Sequence, residues 1–169
     1  MEAFELTTHD LGDFALRPLS AGSAQSLGEA LAAMPPWSVI GYPADRLIRA
    51  LKDPQPTIKR FEALAGAELA GIIVIQDPFL YGPYLKLIAL LPRFQGQGSG
   101  LRLLQWMEAE ARKAEARQLW LCVTTFNTRA RAFYERFGFE AVGLLEKLST
   151  DASDELLMRK RLFYGNPGR

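Results

Sequence analysis

The chain contains one cysteine, Cys122, and one histidine, His9. A single cysteine excludes an internal disulfide, and the pair cannot furnish the usual Cys/His set for zinc, so no metal is expected. Charge of one sign is also missing. Twenty Lys and Arg face nineteen Asp and Glu, a formal net charge of +1. That balance creates no overall field to recruit nucleic acid or an anionic membrane surface, and neither is expected as a partner. No apolar run approaches the roughly 18 residues needed to span a bilayer. The opening stretch, MEAFELTTHDLGDF, carries early acids and lacks the apolar segment of a secretory leader. A cytoplasmic protein is the simplest expectation. Repeats and low-complexity tracts are absent as well. Apolar residues, in contrast, make up 49% of the 169 positions, which suits one domain over residues 1–169 with a single sizeable core.

Proline and β-branched residues divide this chain into elements. FALRPL at 14–19 reads as a short strand, and SAGSAQSLGEALAAM as a helix stopped by Pro35 and Pro36. ADRLIRALK places Leu47, Ile48 and Leu51 at helical spacing before Pro54 and Pro56 forbid continuation. Ile58 to Leu64 and Leu69 to Gln76 flank the small-residue turn AGAE as a hairpin, and Leu85 to Leu91 is a third strand in the run. From Ser99 to Glu115 there is no proline, and Leu104, Met107, Ala111 and Ala114 line one helical face. QLWLCVT at 118–124 is a strand, Thr128 to Phe137 a helix closed by Gly138, and 139–146 and 155–163 are the last strands. Seven strands and four helices in this order predict an α/β fold with a mixed sheet. His9 falls before the first strand, where an exposed terminal position is expected.

Between a strand and the longest helix lies Arg93-Phe94-Gln95-Gly96-Gln97-Gly98-Ser99-Gly100. Glycines there let backbone N–H groups approach a ligand without interference from Cβ atoms, and the helix N-terminus adds its partial positive charge. From Pro78 through Met107 the chain has no Asp or Glu, whereas Lys86, Arg93 and Arg102 are present. Local electrostatics therefore favours an anion such as a pyrophosphate. A Walker loop requires a lysine that does not follow Gly100, and the dinucleotide pattern G-x-G-x-x-G near a first strand is not met, so an ATP-dependent enzyme is disfavoured. The alternative to an anion site is a glycine-rich connection that holds no ligand.

The segment from Leu87 to Gly100 resembles the acyl-CoA signature of the GNAT superfamily of N-acetyltransferases, with Gln95, Gly98 and Gly100 matching [Q/R]-x-x-G-x-[G/A]. A second block, Asn127-Thr128-Arg129-Ala130-Arg131-Ala132-Phe133-Tyr134-Glu135-Arg136-Phe137-Gly138-Phe139, is similar to the superfamily's N-x-x-A-x-x-F-Y-x-x-x-G-F segment at every defining position. The motif-bearing core is 84–139, and the resemblance is to the ribosomal-protein N-terminal acetyltransferase branch. It implies a splayed, mostly antiparallel mixed sheet of about seven strands flanked by about four helices. It also implies acetyl-CoA as cosubstrate, with its pantetheine arm between the strand ending near Leu91 and the strand 118–124. Carried over by position, the backbone of Ala89, Leu90 and Leu91 would face pantetheine and thioester. Gln95, Gly96, Gln97, Gly98, Ser99 and Gly100 would hold the pyrophosphate, and Asn127, Ala130, Phe133 and Tyr134 would complete the cofactor wall.

Amine acetylation requires an oxyanion donor, a proton acceptor and an acid for the leaving thiolate. The resemblance implies backbone N–H of Leu90 as the first and Tyr134 as the general acid. Tyr134 also has a core-packing alternative beside Phe133 and Phe137, and Asn127 a helix-capping one. Some relatives carry a catalytic Glu where this chain has Cys122. A lone strand cysteine with no flanking cation is expected to be a buried hydrophobe, not a nucleophile. Asp77, Tyr81, Tyr84 or water remain as candidate bases. Trp37 and Tyr42, in the segment 35–43, are candidate walls for the acceptor groove, together with Tyr84 and the connection 147–154. Expected partners are acetyl-CoA and an amine acceptor, in a monomer or homodimer. The alternative is an acyl-CoA-binding module of the same fold without catalysis.

Overall fold

The computed structural model describes residues 2–162. The elements are β1 (His9–Asp10), β2 (Ala15–Pro18), α1 (Ala21–Ala32), α2 (Ala44–Lys52), β3 (Ile58–Ala65), β4 (Glu68–Phe79) and β5 (Gly82–Leu90). A single 3-10 turn (Pro92–Phe94) leads to α3 (Ser99–Lys113), β6 (Gln118–Thr124), α4 (Thr128–Phe137), β7 (Glu140–Thr150) and β8 (Ser153–Arg161). Helices α2 and α4 and strand β6 coincide with their sequence-predicted limits. The last strand begins two residues earlier than predicted, and Phe163 lies outside the described residues.

One eight-stranded sheet runs in the order β1-β2-β3-β4-β5-β6-β8-β7. The strand beyond the predicted seven is β1. His9 is therefore not an exposed terminal residue before the sheet: it pairs with Leu16, and its ring lies edge-on to Phe61 and Trp106 at 5.5 and 5.1 Å. Two residues carry no periodicity from which a strand can be read. No helix among the described residues is long and apolar enough to cross a membrane.

The strands alternate between two cores. Ile72 and Val74 of β4 pack with Leu27, Leu31, Leu47 and Leu51 of α1 and α2. Ile73 and Ile75 pack on the opposite face with Leu103, Leu104 and Met107 of α3 and with Tyr134 of α4. This period-two division places one helix pair on each side of the sheet.

All neighbouring strands are antiparallel except β5 and β6, which pair at only two positions, Tyr84 with Trp120 and Leu85 with Leu121. Contact is closest at Gly82, where a Cβ would stand 1.8 Å from the Gln118 carbonyl oxygen. Side chains clamp the same end: Gln118 Nε2 and Trp120 Nε1 both donate to the Leu80 carbonyl, at 2.8 and 3.0 Å. Beyond Leu85 the two strands lose their ladder, although β5 stays bonded to β4 as far as Leu90 and β6 to β8 as far as Thr124. The sheet is thus clamped at one end of β5 and β6 and open at the other.

Glu62 anchors the entry to α1. It is fully buried, accepts from Arg17 Nε, and receives the Ser20 N–H at 3.1 Å and the Ser20 hydroxyl at 3.3 Å. Ser20 in turn caps α1 through Ser23 N–H. Burial alone would raise the Glu62 carboxyl, but hydrogen bonds from Ser23, Arg17 and Ser20 outweigh it and hold the group below its ordinary value.

Two stability predictions follow from these contacts. Replacing Glu62 with Gln is expected to lower unfolding free energy by about 1–3 kcal/mol at neutral pH, measured by urea titration. Because the folded-state pKa is depressed, that contribution is complete above the unfolded carboxyl's value near 4.3 and is lost as pH falls through the folded value, so the native chain and the variant converge in acid. Gly82→Ala places its methyl against backbone that cannot retreat. A loss of about 3 kcal/mol is expected in the same titration.

Candidate functional site

The open end of the β5/β6 split forms part of a cavity of about 1130 Å³. Its floor at β5 follows from strand alternation. Leu91 N–H donates to the Ala70 carbonyl on β4 at 2.8 Å, so Ala89 and Leu87 face β4, and the backbone groups of Leu90 and Ile88 face the opening. The Leu90 carbonyl shows this orientation, since it accepts Gln95 Nε2 at 2.9 Å from the loop beyond. Leu90 N–H therefore points into the gap between β5 and β6 with no strand partner there.

The glycine loop forms one end of the cavity. Gly98 is the N-cap of α3 in the left-handed region, φ +79°, without a side-chain cap, so this helix start depends on a residue free of Cβ strain. The N–H groups of the first turn have no intrahelical acceptor. Ser99, 2% exposed, holds its hydroxyl buried in the cavity wall without a hydrogen-bond partner among the described residues. A buried unpartnered hydroxyl beside free N–H groups is suited to the oxygens of an anion. Two of the three cations named from sequence are engaged elsewhere, Arg93 with Glu68 at 2.5 Å and Arg102 with Asp13 at 2.9 Å, whereas Lys86 lines the cavity. Arg129 and Arg136 of α4 line it as well, and neither forms an ion pair among the described residues.

On α4, the Asn127 side chain accepts Ala130 N–H at 3.2 Å, so its capping role is realised while it also lines the cavity. Tyr134 is 8% exposed, with Phe133 and Phe139 ring centroids at 5.5 and 6.0 Å. A tyrosine is already protonated at neutral pH, and burial pushes this phenol further, up to about 12. Packing and cavity lining coexist at this residue.

The face of the sheet toward α1 and α2 holds a second group of polar side chains. Tyr84 lies opposite Trp120, and alternation along β6 puts Cys122 and Thr124 on the same side. The cross-strand partner of Thr124 is Glu155 on β8. Tyr84, Cys122, Thr124 and Glu155 all line the cavity. Tyr84 is raised well above its ordinary value by burial and by its hydrogen bond with the Cys122 thiol, and burial likewise raises Cys122. Half-buried Cys122 is thus a neutral thiol facing the cavity, not the enclosed hydrophobe expected from sequence. The Thr124 hydroxyl has no hydrogen-bond partner among the described residues. The Ser149 hydroxyl donates to Glu155 Oε1 at 2.5 Å.

Of the residues singled out from sequence, Trp37, Tyr42, Tyr84, Ala89, Leu90, Gln95, Gly96, Gly98, Ser99, Gly100, Asn127, Ala130, Phe133 and Tyr134 all line this one cavity. Leu91 does not; its N–H is bonded to β4 and its side chain packs against the α1/α2 core. Gln97 turns its amide onto the Arg93 carbonyl at 3.0 Å. Asp77 and Tyr81 are also outside the wall, Tyr81 being 80% exposed at the β4–β5 hairpin. Glu155 was not a sequence candidate, because only the pairing of β6 with β8 brings it beside Cys122.

The sequence profile of the Acetyltransferase (GNAT) family matches residues 25–139. The uncharacterized N-acetyltransferase YesJ of Bacillus subtilis (strain 168) is 34% identical over 79 residues, 47% of this chain and 41% of that protein, so the matched region spans about two fifths of this curated relative. Among solved structures, the ribosomal-protein-S18-alanine N-acetyltransferase of Escherichia coli superposes with a TM-score of 0.69 at 21% identity, covering 92% of this chain and 98% of that one. A GNAT family acetyltransferase of Elizabethkingia anophelis with acetyl-CoA bound gives 0.67 at 20% identity, covering 89% and 99%. At those identities the likeness is one of fold, and with the profile match over more than half of its length the chain belongs to the acetyltransferase (GNAT) family.

Proposed function

We propose that this chain, an acyltransferase by family, moves the acetyl group of acetyl-CoA to a primary amine by direct transfer. The observation that carries the proposal is the single cavity in which an acid-free anion loop, an unpartnered strand edge at Leu90 and the Tyr134 phenol converge. In this assignment the backbone from Gly96 to Gly100 and the Ser99 hydroxyl hold the pyrophosphate, and Asn127 and the open edge of β5 align the pantetheine arm. Leu90 N–H faces the thioester oxygen, where negative charge develops as the amine attacks carbon. The C–N bond forms, the C–S bond breaks, and Tyr134, protonated at neutral pH as an ordinary tyrosine is, supports the departing sulfur with its O–H. Neutral Cys122 offers no thiolate for a covalent acetyl intermediate, in keeping with transfer in a ternary complex.

Two outcomes test this. Acetyl-CoA is expected to raise the melting temperature more than an equal concentration of ATP; a larger shift with ATP would overturn the assignment of the loop. With an amine and peptide panel, thiol release should accompany a mass gain of one acetyl group on the acceptor. In that assay Tyr134→Phe is expected to lower kcat by about 100-fold while acetyl-CoA affinity stays within about twofold. Acetyl-CoA binding without transfer to any amine would instead identify a non-catalytic acyl-CoA module.

A further inference from the structure

We infer that Glu155 is the residue that docks the acceptor's ammonium and takes its proton, and that the acceptor is a primary monoamine with an apolar body. This inference rests on the acetyl-transfer reaction proposed above. Its basis is the layout of the cavity on the α1/α2 face. Among the described residues only two carboxylates line the cavity, Asp53 and Glu155. Asp53, at the end of α2, is bonded to Gln55 Nε2 at 2.5 Å and interacts with the Arg60 cation. Glu155 has no cationic partner among the described residues; Ser149 holds one of its oxygens and leaves the other without a hydrogen bond.

Its surroundings define what it can do. Across the sheet, Glu155 faces Thr124 on β6 and Leu145 on β7. Beside it, Tyr84 and Cys122 hold their protons more firmly than usual, chiefly through burial, with the charge of Glu155 a smaller contribution in the same direction. A phenol and a thiol kept neutral beside a carboxylate cannot themselves accept a proton from an amine. They can donate to or accept from a nitrogen seated among them, leaving the carboxylate as the sole base of the group.

The position also separates the two proton transfers. Tyr134 approaches the β5/β6 gap from the α3/α4 side, Glu155 from the α1/α2 side. An amine on the Glu155 side therefore attacks the thioester from the face opposite the group that receives the sulfur. R–NH3⁺ loses one proton to Glu155, and the free amine forms the C–N bond. As the C–S bond breaks, the sulfur leaves with a proton from Tyr134. The nitrogen's second proton returns to Tyr134 by way of water, and Glu155 releases its proton to solvent. The products are the amide, the CoA thiol and one proton.

The acceptor class follows from the remaining wall. Met34, Trp37, Ile40, Tyr42 and Leu148 give the cavity wall an apolar and aromatic part beside one uncommitted carboxylate, and its cations, Arg60, Lys86, Arg129 and Arg136, add no second group to pair with positive charge. A polyamine would bring a second cation with no partner there, and burying an unpaired charge is costly. An alkyl or aralkyl monoamine satisfies both the carboxylate and the lining.

The test compares Glu155→Gln and Glu155→Asp with the native chain, using phenethylamine, hexylamine and spermidine as acceptors, with acetyl-CoA affinity measured in parallel by calorimetry and folding checked by thermal melting. Glu155→Gln is expected to lower kcat/KM for the monoamines by about 100-fold with acetyl-CoA affinity unchanged, its residual rate rising with pH as solvent supplies free amine. Glu155→Asp is expected to recover part of that loss, which a purely structural carboxamide-for-carboxylate effect would not predict. If Glu155→Gln stays within about threefold of native while the native chain acetylates amines, the role of Glu155 is overturned and the transfer reaction stands. If spermidine exceeds both monoamines by about tenfold, the acceptor class is overturned. Acetyl-CoA binding with no amine turned over at all would remove both the inference and the reaction it rests on.

Discussion

The two-residue parallel contact between β5 and β6 is the constraint on which the rest of the molecule depends. Parallel strands joined through a helix would ordinarily continue their ladder, because every unpaired backbone group facing the interior carries a desolvation cost. Here the ladder stops after Leu85 and Leu121, and each strand keeps its other neighbour. The missing pairs leave donors and acceptors of β5 facing an opening wide enough for a ligand. Stability for that arrangement is concentrated at the clamped end, where Gly82 allows direct backbone approach and Gln118 and Trp120 share the Leu80 carbonyl. An open backbone edge and a tight backbone clamp are the two ends of one strand pair.

The split also gives the cavity two chemically distinct sides. Along β4 successive isoleucines and valine alternate between the two helix pairs, so whatever enters the β5/β6 gap meets both cores. From the α3/α4 side come the glycine loop, Asn127 and Tyr134; from the α1/α2 side come Tyr84, Cys122, Glu155 and the aromatic segment after α1. In the proposed reaction the anionic cosubstrate is met mainly by backbone N–H groups, since Arg93 and Arg102 are engaged by Glu68 and Asp13. Fixed dipoles of this kind need no side-chain ordering when the ligand arrives, and the cations that line the cavity are Arg60, Lys86, Arg129 and Arg136.

The half of the cavity proposed for the cosubstrate was legible in the sequence because its parts are local. The loop 95–100 and the block 127–139 each form a contiguous strand-to-helix connection, so glycine spacing, the capping Asn127 and the stop at Gly138 could be read directly and then found in place. The half proposed for the acceptor was less legible. Glu155 lies 31 positions beyond its partner Thr124, and nothing in the pattern around Asp154-Glu155-Leu156 distinguishes a cavity carboxylate from a solvated one until β8 is paired to β6. The same limit explains the exclusion of Asp77 and Tyr81, which look available in sequence but follow the β4–β5 hairpin away from the opening. Short elements were hidden for another reason: β1 is held by ring packing of His9 on Phe61 and Trp106, and two residues cannot show a period.

The buried phenol of Tyr134 sets the balance of the proposed transfer. With its pKa pushed to about 12, it lies roughly 3.5 units above an ordinary thiol, so complete proton transfer to a solvated thiolate would be uphill by about 5 kcal/mol. The departing sulfur is not in that reference state. Within the gap it loses the same water that Tyr134 has lost, and desolvation raises a thiol as it raises a phenol, a direction already visible at Cys122 nearby. The mismatch therefore narrows only while the site is closed around the ligand. A phenol that strengthens its hydrogen bond as charge moves onto sulfur stabilises the transition state more than the thioester ground state, which is the condition for raising kcat over affinity. It also ties the acid to the architecture: the hydrophobic contacts that bury Tyr134 against Phe133 and Phe139 are what raise its pKa above that of an ordinary, already protonated tyrosine.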